Sequence, residues 1–170
     1  MDNIWKRYGL FGILVILLAA FDQWTKRLAY GGLRVNGPVI LWDGVFELLY
    51  SENRGAAFGI LQGKQGLFFL VAVAVFIVVL LFLGRMPSGK RYLPLFGCLV
   101  LLMSGALGNL IDRMFRGFVV DFFYFKLIDF PIFNVADCYV VVAAALLILL
   151  TGFYYKEEEF EFLSKKESSQ

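Results

Sequence analysis

The chain contains 170 residues, of which 60% are hydrophobic, and its mean hydropathy is +0.74; in a soluble domain roughly 45–50% of the residues are apolar. A formal net charge of only +2 gives no electrostatic basis for binding nucleic acid. The absence of histidine excludes Ser-His-Asp and Cys-His catalysis, histidine-bearing zinc sites and haem with an axial histidine. We therefore expect a single membrane domain over residues 1–170, without a cofactor, a metal or a nucleic-acid partner.

Four segments are predicted to cross the membrane as helices, at residues 8–25, 66–84, 93–111 and 138–155. The last three are uncharged and close to the roughly 20 residues that a helix needs to span the hydrocarbon. The apolar part of the first segment, residues 8–21, also fits the hydrophobic region of a signal peptide. No small-x-small cleavage site follows it, so we interpret it as a span that continues past Asp22. The expected fold is an all-α polytopic membrane protein.

Four spans place both termini on one side of the membrane. Lysine and arginine do not decide which side, because eight lie on each face of the predicted topology. The short loop between the second and third helices concentrates Arg85, Lys90 and Arg91, and this density favours a cytoplasmic location for that loop and for both termini.

The first long loop contains a hairpin pattern. β-Branched and aromatic residues at positions 38–51 are interrupted by Asp43-Gly44, a dipeptide typical of tight β-turns. We expect a small β-sheet outside the membrane within residues 36–58. Residues 156–170, by contrast, are expected to form a charged, solvated cytoplasmic tail without a chemical role.

The acidic residues at the ends of the predicted helices are functional candidates, because burying an ionisable group at membrane depth costs at least a few kcal/mol. They are Asp22, Asp112, Asp121 and Asp137. The alternative to a functional role for Asp22 is an i,i+4 ion pair with Lys26. For Asp112 the alternative is a local ion pair with Arg113 or Arg116. On spacing alone both alternatives stay open.

The third helix carries two further patterns. Gly105 and Gly108 predict close helix packing through small residues. Asn109, Asp112 and Arg113 share one helical face, so their side chains would point toward one site. Cys98 and Cys138 lack metal or disulfide spacing and are expected to act as small apolar residues.

Two turns complete the candidate set. Asn53 begins a polar turn after the hairpin, in which Gly55 would allow a ligand to approach the backbone, although a plain loop is an equal alternative. Asn134 and Asp137 have the spacing of a helix N-cap with an acid at its third position. Alternatively, Asp137 faces Asp121, and two carboxyl groups that share a proton can act as general base and general acid on a water molecule.

Five motifs in this order together resemble the lipoprotein signal peptidase (signal peptidase II) family, membrane aspartic peptidases that mature bacterial prolipoproteins. The motifs are Asp22-Gln23 with Thr25-Lys26, and residues 53–58, 105–113, 119–122 and 133–137. One departure is Arg54, where the family usually has a small or polar residue.

The resemblance implies that Asp121 and Asp137 are the catalytic pair, which activates water against the bond before a lipid-modified cysteine. It also implies a site on the extracytoplasmic face of the bacterial cytoplasmic (inner) membrane, a β-cradle in the first long loop, and lipid-modified prolipoproteins and membrane lipid as partners of a monomer. The residues expected to surround the pair or hold the substrate are Asp22, Asn53, Gly55, Asn109, Asp112, Arg113 and Asn134.

Two other functions fit four short helices with buried acids. A small proton-coupled transporter would place its acid near the midplane, with short loops and an internal repeat. The candidate acids here lie at helix ends, the loops are long, and the sequence shows no repeat. A non-catalytic scaffold subunit is the other alternative. It would not require two acids, Asp121 and Asp137, at the same depth in the membrane.

Overall fold

The structure of the chain, a computed structural model, describes residues 3–55 and 65–163. Residues 56–58 of the predicted β-region and its turn motif, and residues 164–170 of the predicted tail, lie outside the described residues. Within the described part, four helices are long and apolar enough to cross a membrane. They are α1 (Ile4–Leu28), α2 (Gln65–Arg85), α3 (Leu93–Arg116) and α4 (Val135–Leu149). The predicted four-helix architecture is confirmed.

Helix α1 extends further than its apolar run suggested. After Leu28 the chain continues through a π-helical turn, Ala29–Leu33, and a helical turn, Arg34–Asn36. It ends at Gly37, whose φ of 86° is in the left-handed region that glycine tolerates best. Asp22 therefore lies inside a continuous helix, and not in its last turn as we expected. The positions after it include good helix formers, Lys26 and Arg27, which allow the helix to continue.

Helices α3 and α4 have clear capping signals. Helix α3 runs five residues beyond the expected end and stops at Gly117, where φ is 77° and the N–H donates to the Arg113 carbonyl at 3.2 Å. Helix α4 begins directly after Asn134, three residues earlier than expected, because Asn134 and Asp137 form a capping box. A π-helical turn, Leu150–Tyr154, follows α4.

A three-stranded antiparallel sheet in the order β1-β2-β3 lies at one end of the described helices. Strands β1 (Val39–Trp42) and β2 (Phe46–Asn53) form the predicted hairpin, which turns at Asp43-Gly44. Strand β3 (Val119–Tyr124) follows α3 and pairs with β2. We did not predict β3: its first four residues are all buried, so the sequence lacks the alternation of a half-exposed strand.

Two apolar clusters hold the described elements together. One lies among α1, α2 and α3 toward the ends that carry the termini, and it includes Phe11, Val79 and Leu83. The other joins the sheet to the extended end of α1 and the start of α4 through Ala29, Val120, Phe122 and Val135. The polar residues described below lie beside this second cluster.

Small residues bring α3 close to its neighbours, as predicted. A Cβ atom at Gly105 would lie 2.5 Å from the Ala136 carbonyl oxygen and 2.7 Å from Val140 Cγ2. Both distances are too short for real atoms, so only glycine permits this approach of α3 to α4.

The predicted solvated tail is partly wrong. Glu157–Leu163 form a 3₁₀-helix whose phenylalanines pack on the first apolar cluster. The Phe162 ring lies 5.5 Å from that of Phe82, and Arg91 forms a 2.8 Å ion pair with Glu159. Phe160 and Phe162 are half-buried here, whereas Glu157, Glu158 and Glu161 are exposed.

Candidate active site

Asp121 lies in the middle of β3 and is only 2% exposed. Its two oxygens each accept a hydrogen bond from a side-chain amide. Asn134 Nδ2 donates to Oδ1 at 2.6 Å, and Asn53 Nδ2 donates to Oδ2 at 3.0 Å. The antiparallel register of β2 with β3 brings Asn53, at the end of β2, beside Asp121. The predicted Asn53 and Asn134 therefore contact Asp121 directly.

Asp137 is half-buried in the first turn of α4. Its Oδ2 accepts the Asn134 backbone N–H at 3.1 Å, and its own N–H donates to Asn134 Oδ1 at 3.0 Å. The capping interpretation is therefore correct. The second oxygen, Oδ1, accepts a 2.7 Å hydrogen bond from Asn109 Nδ2 in α3. The cap thus fixes the Asp137 carboxyl group through Oδ2 and does not use Oδ1. Asp137 can therefore be both a capping residue and a partner of Asp121.

Asn134 joins Asp121 to Asp137. Its side-chain carbonyl oxygen caps the Asp137 N–H, which leaves its NH₂ group directed at Asp121. The pKa of Asp121 is raised from 3.8 to about 7, chiefly by burial and further by the negative charge of Asp137. Hydrogen bonds from Asn53 and Asn134 oppose this rise without cancelling it. Two carboxyl groups in different environments are thus brought together at the start of α4.

A fully buried cluster of charges lies next to this pair. The Lys26 ammonium is 2.9 Å from Asp22 Oδ2 and 3.2 Å from Asp112 Oδ2. Asp22 Oδ1 also accepts the Ala136 N–H at 2.9 Å, so α1 is tied to the start of α4. The predicted i,i+4 pair of Asp22 and Lys26 is present, but it is completely buried and connects helices.

Asp112 continues the same cluster toward the sheet. It forms an ion pair with Arg116, as one local alternative predicted, and its Oδ2 accepts the Val120 N–H at 3.1 Å. Gln23 Nε2 bridges Asp112 Oδ1 at 3.1 Å and the Gly108 carbonyl at 3.0 Å. These bonds fix the start of β3, and therefore the position of Asp121, relative to α1 and α3.

Arg113 holds the turn after β2. One terminal nitrogen donates to the buried Gly55 carbonyl at 3.2 Å, and the guanidinium lies 4.4 Å from the centre of the Phe68 ring. The Gly55 N–H in turn donates to Asn53 Oδ1 at 3.0 Å, which leaves the Asn53 amide NH₂ for Asp121. Arg54 is exposed and forms a surface ion pair with Glu52.

Residues 14–153 match the sequence profile of the family described as Signal peptidase (SPase) II. The chain belongs to the signal peptidase II family. A lipoprotein signal peptidase of Clostridioides difficile (strain 630) is 43% identical over 135 residues, covering 78% of this chain and 88% of that protein. A second, of Streptococcus thermophilus (strain CNRZ 1066), is 40% identical over 130 residues, covering 76% and 84%.

A solved structure gives the same result for the fold. A bacterial membrane enzyme, determined by the in meso method, is 29% identical to this chain and superposes with a TM-score of 0.73. The match covers 95% of this chain and 94% of that one. The resemblance inferred from the five motifs is thus confirmed, and the chain is a multi-pass membrane peptidase. This finding leaves the transporter and scaffold alternatives without support.

Two residues of this signal peptidase II family member were not among the predicted site residues. Gln23 was named only as part of a motif, and Lys26 only there and as a possible i,i+4 partner of Asp22, yet both bond to Asp22 and Asp112. The available signal was a lysine placed four residues after an aspartate in a membrane helix. Among residues 3–55 and 65–163, no group of three or more Cys, Asp or Glu side chains is arranged to hold a metal ion.

Proposed function

We propose that this peptidase is an aspartic endopeptidase that removes the signal peptide from diacylglyceryl-modified prolipoproteins, cutting immediately before the lipidated cysteine. The observation that carries the proposal is the junction at Asn134, which bonds Asp121 through its side chain and Asp137 through its cap. The name of the relatives, lipoprotein signal peptidase, supports the substrate class.

The two carboxyl groups have different parts in the proposed reaction. Asp137 is the more exposed, and its two oxygens accept hydrogen bonds from Asn109 and Asn134, which hold the carboxyl group in one orientation. It takes a proton from a water molecule as the water oxygen bonds to the scissile carbonyl carbon. Asp121, whose pKa of about 7 keeps about half of the molecules protonated at this carboxyl group at neutral pH, donates its proton to the carbonyl oxygen.

The resulting gem-diol then breaks down. Asp137 gives its proton to the leaving nitrogen, the carbon–nitrogen bond breaks, and Asp121 recovers a proton from the diol. The products are the signal peptide with a new carboxyl group and a lipoprotein whose N-terminal residue is the modified cysteine. Because the two groups are coupled, the protons belong to the pair as a whole during titration.

The remaining predicted residues position the pair and the peptide. Asn53 and Asn109 each donate to one carboxyl group of the pair, and Arg113 orders the turn at Gly55 beside them. The lipid chains of the substrate stay in the bilayer while its extended peptide reaches the pair beside the sheet. Asp22 and Asp112 hold α1, α3 and β3 in place around it.

The proposed topology places both termini in the cytoplasm and the site at the extracytoplasmic face of the bacterial cytoplasmic membrane. The loop that contains Arg85, Lys90 and Arg91 supports this orientation. In this proposal the chain is one membrane domain that works as a monomer.

The orientation is tested with reporter fusions to the C-terminus. A reporter that functions only in the cytoplasm should be active, and one that functions only outside it should be inactive. The opposite result would reverse the orientation.

The test is cleavage by the purified protein in detergent of a diacylglyceryl-modified prolipoprotein, with the unmodified precursor as matched control. Mass spectrometry of both products should place the cut directly before the modified cysteine, and only the modified precursor should be cut. A chelator should leave the rate unchanged, because the proposed chemistry uses only the two carboxyl groups and water. Intact modified precursor, or a rate abolished by the chelator, would overturn the proposal.

A further inference from the structure

Lys26 uses all three of its donors inside the protein. Its side chain is fully buried, and Nζ contacts Asp22 Oδ2 at 2.9 Å, Asp112 Oδ2 at 3.2 Å and Asn109 Oδ1 at 2.9 Å. A lysine ammonium has three N–H groups and no acceptor, so these partners account for its whole hydrogen-bonding capacity. Two partners are carboxylates. The third, Asn109, is neutral and also bonds Asp137.

Charge balance does not explain this third bond. Asp22 and Asp112 together carry two negative charges, and Lys26 and Arg116 supply two positive ones. A purely structural ion pair between α1 and α3 is complete with those four groups. The bond to Asn109 adds nothing to the charge balance, but it connects the cluster to Asp137 through a single side chain.

Lys26 and Asn134 together determine which way the Asn109 amide faces. An asparagine can exchange the positions of its oxygen and its NH₂ group by a rotation of about 180°. Because Lys26 can only donate, the oxygen of Asn109 must face it, and Asn134 Nδ2 donates to the same oxygen at 3.2 Å. The NH₂ group of Asn109 therefore faces Asp137 Oδ1, at 2.7 Å.

We propose that Lys26 is a positioning residue for the reaction: it holds the Asn109 amide so that its donor, and not its oxygen, faces Asp137. The inference rests on the proposed function, in which Asp137 takes the proton from water. A donor stabilises the carboxylate form, whereas an amide oxygen in its place would favour the protonated form. Lys26 thus acts on the reaction through Asn109 without touching the substrate.

Other charged groups also act on Asp137. Arg113 in α3 attracts its negative charge, Asp121 in β3 repels it, and the Cys138 thiol lies beside it on α4. None of these groups depends on Lys26 for a hydrogen bond in the described structure. Removing the ammonium of Lys26 therefore removes one of the two donors that hold the Asn109 oxygen, together with one buried positive charge that also lowers the pKa of Asp121.

The experiment compares kcat as a function of pH for wild type, Lys26→Met and the control Arg27→Met, whose side chain is exposed on the same helix. In Lys26→Met, we expect kcat at neutral pH to fall about tenfold or more and the acidic limb of the profile to move up by about one pH unit. Arg27→Met should follow wild type. A Lys26→Met profile that is lower but unshifted would reduce Lys26 to a structural role and overturn the inference.

A double-mutant cycle tests the route through Asn109. If Lys26 acts by orienting this amide, Lys26→Met should cost almost nothing further in an Asn109→Leu background. Independent, additive losses in kcat would contradict the inference. Should Lys26→Met not fold, the same comparison is made in an Asp112→Asn background, which removes one of the two buried negative charges that Lys26 balances.

The inference and the proposed function can fail separately. If Asp121→Asn and Asp137→Asn both keep their activity, the proposed function itself is wrong. If both variants are inactive while Lys26→Met shows an unshifted profile and additive losses, only the role of Lys26 is wrong.

Discussion

Gly108 in α3 lies directly against Asp22 in α1: a Cβ atom at position 108 would stand 2.5 Å from the Asp22 carboxylate oxygen Oδ2. That carboxylate cannot easily move, because Lys26 and the Ala136 N–H both bind it. Gly108→Ala should therefore lower the free energy of unfolding by about 1–3 kcal/mol, as overpacking of a close contact does. Thermal unfolding in detergent measures this loss, and peptidase activity should fall with it.

Gly97→Ala is the matched control for this change. Gly97 belongs to the same helix, but an added Cβ there would meet nothing within 4 Å. Its substitution should leave stability unchanged or raise it by up to about 1 kcal/mol, because alanine favours the helix over glycine. Equal losses in the two variants would show that the Gly108 contact has no special role.

The raised pKa of Asp121 predicts how stability depends on pH. The folded protein holds this proton up to about pH 7, whereas the unfolded chain loses it near the ordinary pKa of 3.8. The folded state then binds more protons, so this group's contribution to stability is lost as pH rises between those values. The asparagine in Asp121→Asn does not ionise. The unfolding temperature of this variant, relative to that of wild type, should therefore rise from pH 4 to pH 8. A difference independent of pH would contradict the raised pKa.

The packed part of the C-terminal segment should contribute to stability but not to turnover. Phe162 contacts the rings of Phe82 and Tyr92 at the end of the helices away from Asp121. Phe162→Ala should lower the free energy of unfolding by about 1–2 kcal/mol, since the ring is only half-buried. The rate per folded molecule should not change. Glu158→Ala, at an exposed position nearby, serves as the control, and an equal effect there would contradict the packing.

The sequence predicted those parts of the fold that depend on local patterns. Uncharged apolar runs predicted the four spans, and Asp43-Gly44 predicted the hairpin. Strand β3 was missed because its buried residues show no alternation, and its pairing with β2 joins segments far apart in the chain. The packing of Phe162 was missed for a similar reason, since its partner Phe82 belongs to another helix.

The candidate site was only partly predictable. The resemblance supplied Asp121 and Asp137, and spacing supplied the cap at Asn134. The role of Lys26 could not be inferred, because spacing indicates an i,i+4 pair but neither its complete burial nor its bond to Asn109. Those two facts depend on how α1 packs against α3, which no local pattern specifies.

In the proposed mechanism Asp121 and Asp137 together perform the hydrolysis. The most direct test is the turnover of a diacylglyceryl-modified prolipoprotein by single variants of these two residues. Asp121→Asn and Asp137→Asn should each reduce kcat by roughly 10²–10⁴-fold or more while the protein stays folded, because each removes one proton-transfer step. Asp43→Asn, in the exposed hairpin turn, should match wild type. A folded Asp121→Asn or Asp137→Asn protein that cuts within a few-fold of the wild-type rate would contradict the account.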